Sequence, residues 1–158
     1  RLVAALPRRG MMVTDINVTE HLAMLETRRV LDRLVAQRAA KRRSLEQASQ
    51  LRACAEQMSG TVHTDDTAAF MALDRKCDRI LDSAARNPYA VQCAAPLHTH
   101  CRRFWTAHRV NGELKKSIAL HSTLMFAVAD ADQDGAGSAS DALMDYLERF
   151  TKEALDLI

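Results

Sequence analysis

The sequence predicts an all-α protein, an antiparallel bundle of about six helices preceded by a short β-hairpin. Three observations predict this class. Aromatic residues make up only 4% of the 158 residues, apolar residues recur at helical spacing along most of the chain, and capping residues separate these stretches. The net charge of +2 gives no indication of a nucleic-acid surface from composition alone.

The first 16 residues differ in pattern from the rest of the chain. Two apolar runs, "LVAAL" and "MMV", flank "PRRG", which is typical of a β-hairpin with a basic turn. An isolated hairpin is marginally stable in water, so we expect these strands to belong to a larger unit that largely precedes Arg1. We therefore divide the chain into residues 1–16 and a helical domain over residues 17–158.

Capping residues set the bounds of the first two helices. Asn17 or Thr19 can begin a helix that runs to about residue 42, because a side-chain oxygen there accepts from a free N–H of the first turn. Ser44 and Gln47 form the capping box of a second helix, which ends near Gly60.

The third and fourth helices meet at a proline. Asp65 and Asp66 suit the positive N-terminal end of the third helix. Asn87-Pro88 ends that helix and begins the next, with Asn as cap and Pro at the first helical position. We expect Pro96 to kink or split the fourth helix, which runs to about His108.

A fifth helix is predicted over residues 113–130, then the loop "DQDGAGSAS", then a last helix from about Asp141. The loop also admits a calcium-binding interpretation, since the first, third, fifth, sixth and twelfth positions of an EF-hand would be Asp130, Asp132, Asp134, Gly135 and Asp141. Against it, the twelfth position is Asp rather than Glu and Gly137 takes a position that is usually apolar. The plainer interpretation is a polar interhelical loop.

Two carboxylates on the third helix are the first candidate site. In "FMALDRKCDRIL" Asp74 and Asp78 lie four residues apart, beside an apolar stripe, where like charges repel by roughly 0.2–0.5 kcal/mol even in solvent. One interpretation places them at the edge of the helix, paired with arginines. The other places both in a central cavity, where they share a cation, since carboxylates are ligands for hard metal ions.

Polar residues on two other helices are further candidates. His121 lies on the apolar face of the fifth helix, where a histidine is usually a core residue, and becomes a candidate ligand only if the Asp74 helix faces it. His98 and Cys101 share a helix face at a spacing that suits zinc weakly. Arg102 or Arg103 can instead bind a ligand carboxylate through the fork of its guanidinium.

The four cysteines show no CxxC spacing and lie among apolar neighbours, which favours buried free thiols in a reducing cytosol. No run of 18 apolar residues occurs, so we expect no membrane span.

With these pieces in order, the chain resembles the effector-binding and dimerisation domain of GntR-type bacterial transcription regulators, in the FadR C-terminal (FCD) class. "LVAALPRRGMMVT" is similar to the wing that ends the family's winged helix-turn-helix domain. "ETRRVLDRLVAQRAA" resembles the first bundle helix, with Asp32 where the family has Glu. "LDRKCDRILDSAARNP", "LHSTLMFAVADAD" and "SDALMDYLERF" resemble the later motif-bearing helices.

The resemblance implies a cytoplasmic helical homodimer that senses a small molecule, often a carboxylic acid. Many members hold a divalent metal with an Asp and three His, and the matching positions here are Asp74, Asp78, His121 and Tyr146. Two of the three histidines are thus replaced. The metal prediction is Asp74, Asp78 and His121, a set that suits magnesium or manganese better than zinc or nickel. Since some family members work without metal, a polar cavity without a metal ion is the equal alternative. Tyr146 is predicted to bind effector.

We therefore predict the sensor domain of a DNA-binding regulator rather than an enzyme. Arg28 or Arg102 would neutralise an acidic effector. DNA would be bound mainly through the upstream domain, with Arg8 and Arg9 of the wing on phosphate. The alternative from another class is a metal-dependent helical enzyme that uses the same carboxylates to activate water. An upstream helix-turn-helix would decide for the regulator.

Overall fold

The computed structural model describes residues 2–64, 66–110 and 112–156. Within these residues a two-stranded antiparallel hairpin is followed by six helices. The strands are β1 (Val3–Leu6) and β2 (Gly10–Val13), and the helices are α1 (Val18–Arg42), α2 (Leu45–Gly60), α3 (Thr67–Ala85), α4 (Pro88–His108), α5 (Glu113–Ala129) and α6 (Gln133–Asp156). The predicted all-α bundle with an N-terminal hairpin is confirmed.

The hairpin closes through a turn that carries two basic residues. Leu6 pairs with Gly10, and the Arg9 amide donates to the Leu6 carbonyl at 3.0 Å. Gly10 has φ +93°, a backbone conformation that costs glycine little. Arg8 and Arg9 are both exposed on the turn, so their charges face solvent.

The predicted caps of the first two helices are present. The Asn17 side chain accepts from the Glu20 amide at 3.0 Å. Ser44 and Gln47 form both bonds of the capping box, at 2.9 and 3.1 Å. These short-range bonds satisfy amides that have no partner within the helix.

The junction of α3 and α4 is also close to the prediction. Asp66 caps α3 through the Ala69 amide at 2.9 Å, whereas Asp65 lies outside the described residues. Asn87 caps α4, with Pro88 at its first position. Pro96 lies inside α4 without ending it, so the expected split does not occur.

The start of α6 corrects the predicted loop. The helix begins at Gln133, eight residues before Asp141, and Asp132 accepts from the Gly135 amide at 2.9 Å. Most of the segment that would have wrapped around a calcium ion is therefore helix, which does not match an EF-hand loop. Small buried residues on this turn, such as Ala136 and Ala139, allow α6 to approach α1 closely.

The core lies around α1, which packs against α3, α4, α5 and α6, while α2 packs against α3 and α5. Its largest fully buried side chains include Phe70, Phe104, Leu25, Leu51, Met58, Met125 and Met144. Three cysteines are buried as predicted, but Cys93 is exposed on α4, so that part of the expectation is wrong. None of the helices in the described part of the chain is both long and apolar enough to cross a bilayer.

Candidate functional site

A cavity of about 70 Å³ lies inside the bundle, between α1, α3, α4, α5 and α6. A volume of this size holds several water molecules or a small ligand. Its charged and histidine lining residues are Arg28, Asp32, Asp74, Asp78, Asp82, His98, Arg102 and His121. Its apolar lining includes Val35, Met71, Leu81, Leu124, Leu143 and Leu147.

Arg102 joins the two carboxylates of α3. Its Nε donates to Asp74 Oδ2, and its Nη2 donates to Asp78 Oδ2. The amphipathic pattern of α3 buries its apolar stripe and brings both carboxylates to the cavity. The guanidinium between them offsets the repulsion expected from their spacing. The two carboxylates therefore do face a cavity and share a cation, and that cation is an arginine.

His121 faces the same cluster from α5. Its Nε2 lies 2.9 Å from Asp74 Oδ1, and its Nδ1 lies 2.8 Å from the backbone oxygen of Ser117. Both partners are acceptors, so both ring nitrogens carry protons. Burial lowers the pKa of His121, but the hydrogen bond and charge of Asp74 outweigh it and raise the pKa above the ordinary value.

His98 links α3 to α1. Its Nδ1 lies 2.9 Å from Asp78 Oδ2, and its Nε2 lies 2.8 Å from Asp32 Oδ1. Although burial lowers the pKa of His98, the charge of Asp78 and the hydrogen bonds of both carboxylates raise it to about 9. The ring is therefore an imidazolium at neutral pH.

Arg28 completes this set on α1. It is buried, and its Nε and Nη2 donate to Asp32 Oδ2 at 2.9 and 2.7 Å. Burial alone would raise the pKa of Asp32, but the charge of Arg28 and the bond from His98 hold it at about 2. We call the connected set Arg28, Asp32, His98, Asp78, Arg102, Asp74 and His121 the ion network.

Asp82 lines the same cavity one helical turn beyond Asp78. Burial raises the pKa of its carboxyl to about 6, with the neighbouring charge of Asp78 as the second cause. The Asp82 carboxyl therefore takes up a proton closer to neutral pH than an ordinary aspartate does.

The ion network does not fit a divalent metal ion. The Arg102 guanidinium binds one oxygen of Asp74 and one of Asp78, and His121 presents no free lone pair because both nitrogens donate. In the part of the chain that the structure describes, no group of three or more His, Cys, Asp or Glu side chains is arranged to hold a metal. The alternative of a metal-dependent enzyme needs these same carboxylates as metal ligands, and both are bound to Arg102.

Tyr146 lies behind the cavity wall rather than on it. Its hydroxyl accepts from Trp105 Nε1 at 2.8 Å, and Trp105 is the residue that lines the cavity. Burial is the main cause that raises the pKa of Tyr146, with a hydrogen bond to Glu113 adding to it. The structure thus brings five of the predicted site residues to one cavity and leaves Tyr146 one layer away. The five are Arg28, Asp74, Asp78, Arg102 and His121.

Three titratable residues that line the cavity with acidic or imidazole side chains were not predicted as site residues. Asp32 was noted only as a family position, His98 only as a weak zinc candidate, and Asp82 not at all. A signal exists for Asp82, because Asp74, Asp78 and Asp82 continue the same four-residue spacing along α3. The pairing of Asp32 with His98 joins residues 66 positions apart and has no local signal.

Comparison with known proteins agrees with this architecture. A family model described as "FCD domain" matches residues 23–146. The solved structure of E. coli McbR/YncC superposes with a TM-score of 0.83 at 12% identity, covering 96% of this chain and 77% of that chain. At that identity the superposition shows a shared fold. No curated protein sequence matches the chain.

Proposed function

Since the chain belongs to the FCD domain family, the ligand-sensing domains of GntR-type regulators, we propose that its cavity binds a small organic acid and thereby controls operator binding. The observation that carries this proposal is the cavity itself, whose lining combines basic side chains with hydrocarbon side chains. An acid with a short apolar part would place its carboxylate against the basic side chains and its tail against the hydrocarbon ones.

The charges of the ion network support an anionic ligand. The network contains four positive groups, two arginines and two imidazolium rings, and three carboxylates. Its net charge is therefore +1. Asp82 offsets this excess only while it is ionised. Arg28 and Arg102 each donate to the network through Nε and Nη2, and we assign their remaining N–H groups to the entering carboxylate.

Two connections link the cavity to the N-terminal hairpin. Arg28 and Asp32 lie on α1, which is the first helix after the hairpin. On α4, His98 and Arg102 belong to the ion network, while Arg103 donates to the Thr14 carbonyl in the segment between the hairpin and α1. A ligand that binds one arrangement of α1 and α4 more tightly would shift the population of hairpin positions.

We further propose that residues 1–16 are the wing of a DNA-binding domain and that the protein acts as a cytoplasmic homodimer. Arg8 and Arg9, exposed on the hairpin turn, would contact phosphate, which positions a protein on DNA without reading sequence. Removing either charge from the full-length regulator should weaken binding to all DNA sequences and lower the salt dependence by about one counterion.

The acid-binding proposal is tested with neighbouring arginines of α1. Arg28 lines the cavity, whereas Arg29 points to α6, where its Nη2 lies 2.7 Å from Asp145 Oδ1. Acetate, propionate, butyrate and lactate are screened by thermal unfolding of the wild type, Arg28→Gln and Arg29→Gln. An acid at about 100 times its Kd should stabilise wild type and Arg29→Gln by roughly 2.7 kcal/mol, and Arg28→Gln should lose most of this.

Operator binding by the full-length regulator, measured with and without the stabilising acid, then tests control of DNA binding. The proposal fails if an acid stabilises Arg28→Gln and Arg29→Gln equally, since the cavity would not be its site. It also fails if an acid bound in the cavity leaves operator affinity unchanged.

A further inference from the structure

We propose that the chain has a second ligand site, a cleft between α4 and the segment that joins the hairpin to α1, and that this cleft binds a free amino acid with an apolar side chain. The cleft has a volume of about 480 Å³, which lies in the range of small-molecule sites, roughly 300–1,000 Å³. It shares no lining residue with the cavity inside the bundle, so the inference does not depend on the acid-binding proposal.

The charged groups of the cleft are divided between its two sides. The carboxylates of Asp15 and Glu20 come from the segment before α1 and from the first turn of that helix, and both residues are exposed. Arg103 comes from α4. In the described part of the chain neither carboxylate forms an ion pair with Arg103 or with another basic side chain. Unpaired charges of both signs favour a zwitterion, whose ammonium group binds a carboxylate and whose carboxylate binds a guanidinium.

Arg103 has hydrogen-bond donors left for a ligand. Its Nη2 donates to the Thr14 carbonyl, which uses one of the five N–H groups of a guanidinium. This bond holds the side chain beside the segment before α1. We assign its remaining N–H groups to the carboxylate of the amino acid.

His21 is buried where α1 meets α4, with 7% of its surface exposed. Its ring stacks on Phe104 with 4.1 Å between centroids, and its Nε2 lies 4.0 Å from Cys101 Sγ. Its Nδ1 has no hydrogen-bond partner among the described residues, so a polar group of a ligand can supply one. Burial lowers the pKa of His21 to about 4, and burial is also the first cause that lowers the pKa of His100. Both rings are therefore uncharged at neutral pH, which leaves Arg103 as the cation of the cleft.

Apolar side chains complete the lining, and they are Ile16, Met24, Pro96 and Leu97. Three of them are half-buried, whereas Pro96 is exposed. A hydrocarbon side chain in the cleft would remove their remaining surface from water. This part of the lining favours an apolar amino acid over a polar one.

A ligand in the cleft would contact both α4 and residues 14–17. Arg103 already connects these two parts of the chain, so the ligand would strengthen an existing connection. It would thereby favour one position of the hairpin relative to the bundle.

The test measures binding of L-leucine by titration calorimetry, with two analogues that each lack one charge. Isoamylamine lacks the carboxylate, and isocaproate lacks the ammonium group. Glu20→Gln is compared with Glu26→Gln, the matched control, because Glu26 is also exposed on α1 but does not line the cleft. Arg28→Gln alters the cavity inside the bundle and leaves the cleft intact.

We expect leucine to bind wild type, Glu26→Gln and Arg28→Gln with equal affinity, and Glu20→Gln about fivefold more weakly, as for loss of one exposed ion pair. Both analogues should bind Arg28→Gln more weakly than leucine does. The proposal is overturned if leucine does not bind wild type, or if it binds Glu20→Gln as tightly as Glu26→Gln. It is also overturned if Arg28→Gln loses leucine, since leucine would then occupy the cavity inside the bundle. Should Glu20→Gln not fold, Asp15→Asn is judged by the same outcomes.

Discussion

His98 Nε2 of α4 lies 2.8 Å from Asp32 Oδ1 of α1, inside the bundle. Since the other ring nitrogen binds Asp78 of α3, one imidazolium holds three helices together at the cavity. Its charge is favoured by two carboxylates and opposed by burial, so the contact is sensitive to pH in a defined direction.

Replacing His98 should destabilise the fold more in mild acid than in alkali. Its pKa is raised from 6.5 to about 9 in the folded protein, so the stabilisation is fully present below pH 6.5 and is lost as the pH rises through about 9. The difference amounts to at most about 3 kcal/mol. Denaturant unfolding of His98→Gln should therefore show a large loss at about pH 6 and a much smaller one at about pH 9.5.

The control for this series is His63→Gln, since His63 is exposed in the loop after α2. Its effect on the free energy of unfolding should stay within about 0.5 kcal/mol at both pH values. A loss for His98→Gln that is the same at both pH values would mean that the ring is neutral and that its contribution is packing alone.

Tyr146→Phe should lower stability without changing the affinity for an acid. The substitution leaves the Trp105 indole N–H without its acceptor, which costs about 1–3 kcal/mol for a buried donor. Tyr146 does not line the cavity, so the Kd from calorimetric titration should match wild type. Tyr89→Phe, at an 81% exposed position, is the control and should be neutral. A weaker Kd with unchanged stability would instead support the effector contact predicted from the sequence.

The helices and caps could be predicted because their signals are local. Ser44 with Gln47, and Asn87 with Pro88, act within three or four residues and need no distant partner. The start of α6 was missed because "DGAGSAS" has the composition of a loop. Its small residues in fact fit α6 against α1: a Cβ on Gly137 would lie 2.9 Å from Gln37 Nε2, a tertiary contact that composition does not show.

The cavity was only partly predictable for the same reason. Periodicity places Asp74, Asp78 and His121 beside apolar faces, which identifies them as unusual but not as partners of one another. Which cation lies between the carboxylates depends on the packing of α4 against α3. The sequence therefore offered Arg102 as a ligand for effector, and the structure shows it bound to both aspartates.

Asp132→Ala tests the corrected start of α6 against the calcium-binding alternative. Asp132 accepts from the Gly135 amide at the first turn of the helix, and loss of such a cap costs about 1 kcal/mol. Calcium should not change the Tm of the wild type, of Asp132→Ala or of the control Asp134→Ala. A calcium-dependent rise in Tm that both substitutions remove would restore the EF-hand interpretation.

Acid binding should be tighter at lower pH, because Asp82 can take up a proton when an anion enters. Burial and the charge of Asp78 raise the pKa of Asp82 to about 6, and an added negative charge in the same cavity raises it further. Binding then takes up a proton between the two pKa values, so affinity should fall by at most about tenfold per pH unit above pH 6. Asp82→Asn removes this carboxyl and should give an affinity that is high and nearly constant from pH 6 to about pH 8.

The control is Glu56→Gln, on the exposed face of α2, which should keep the wild-type dependence of affinity on pH. Titration calorimetry in two buffers of different ionisation enthalpy measures the proton uptake directly. Equal uptake in wild type and Asp82→Asn would assign the proton to another group of the cavity.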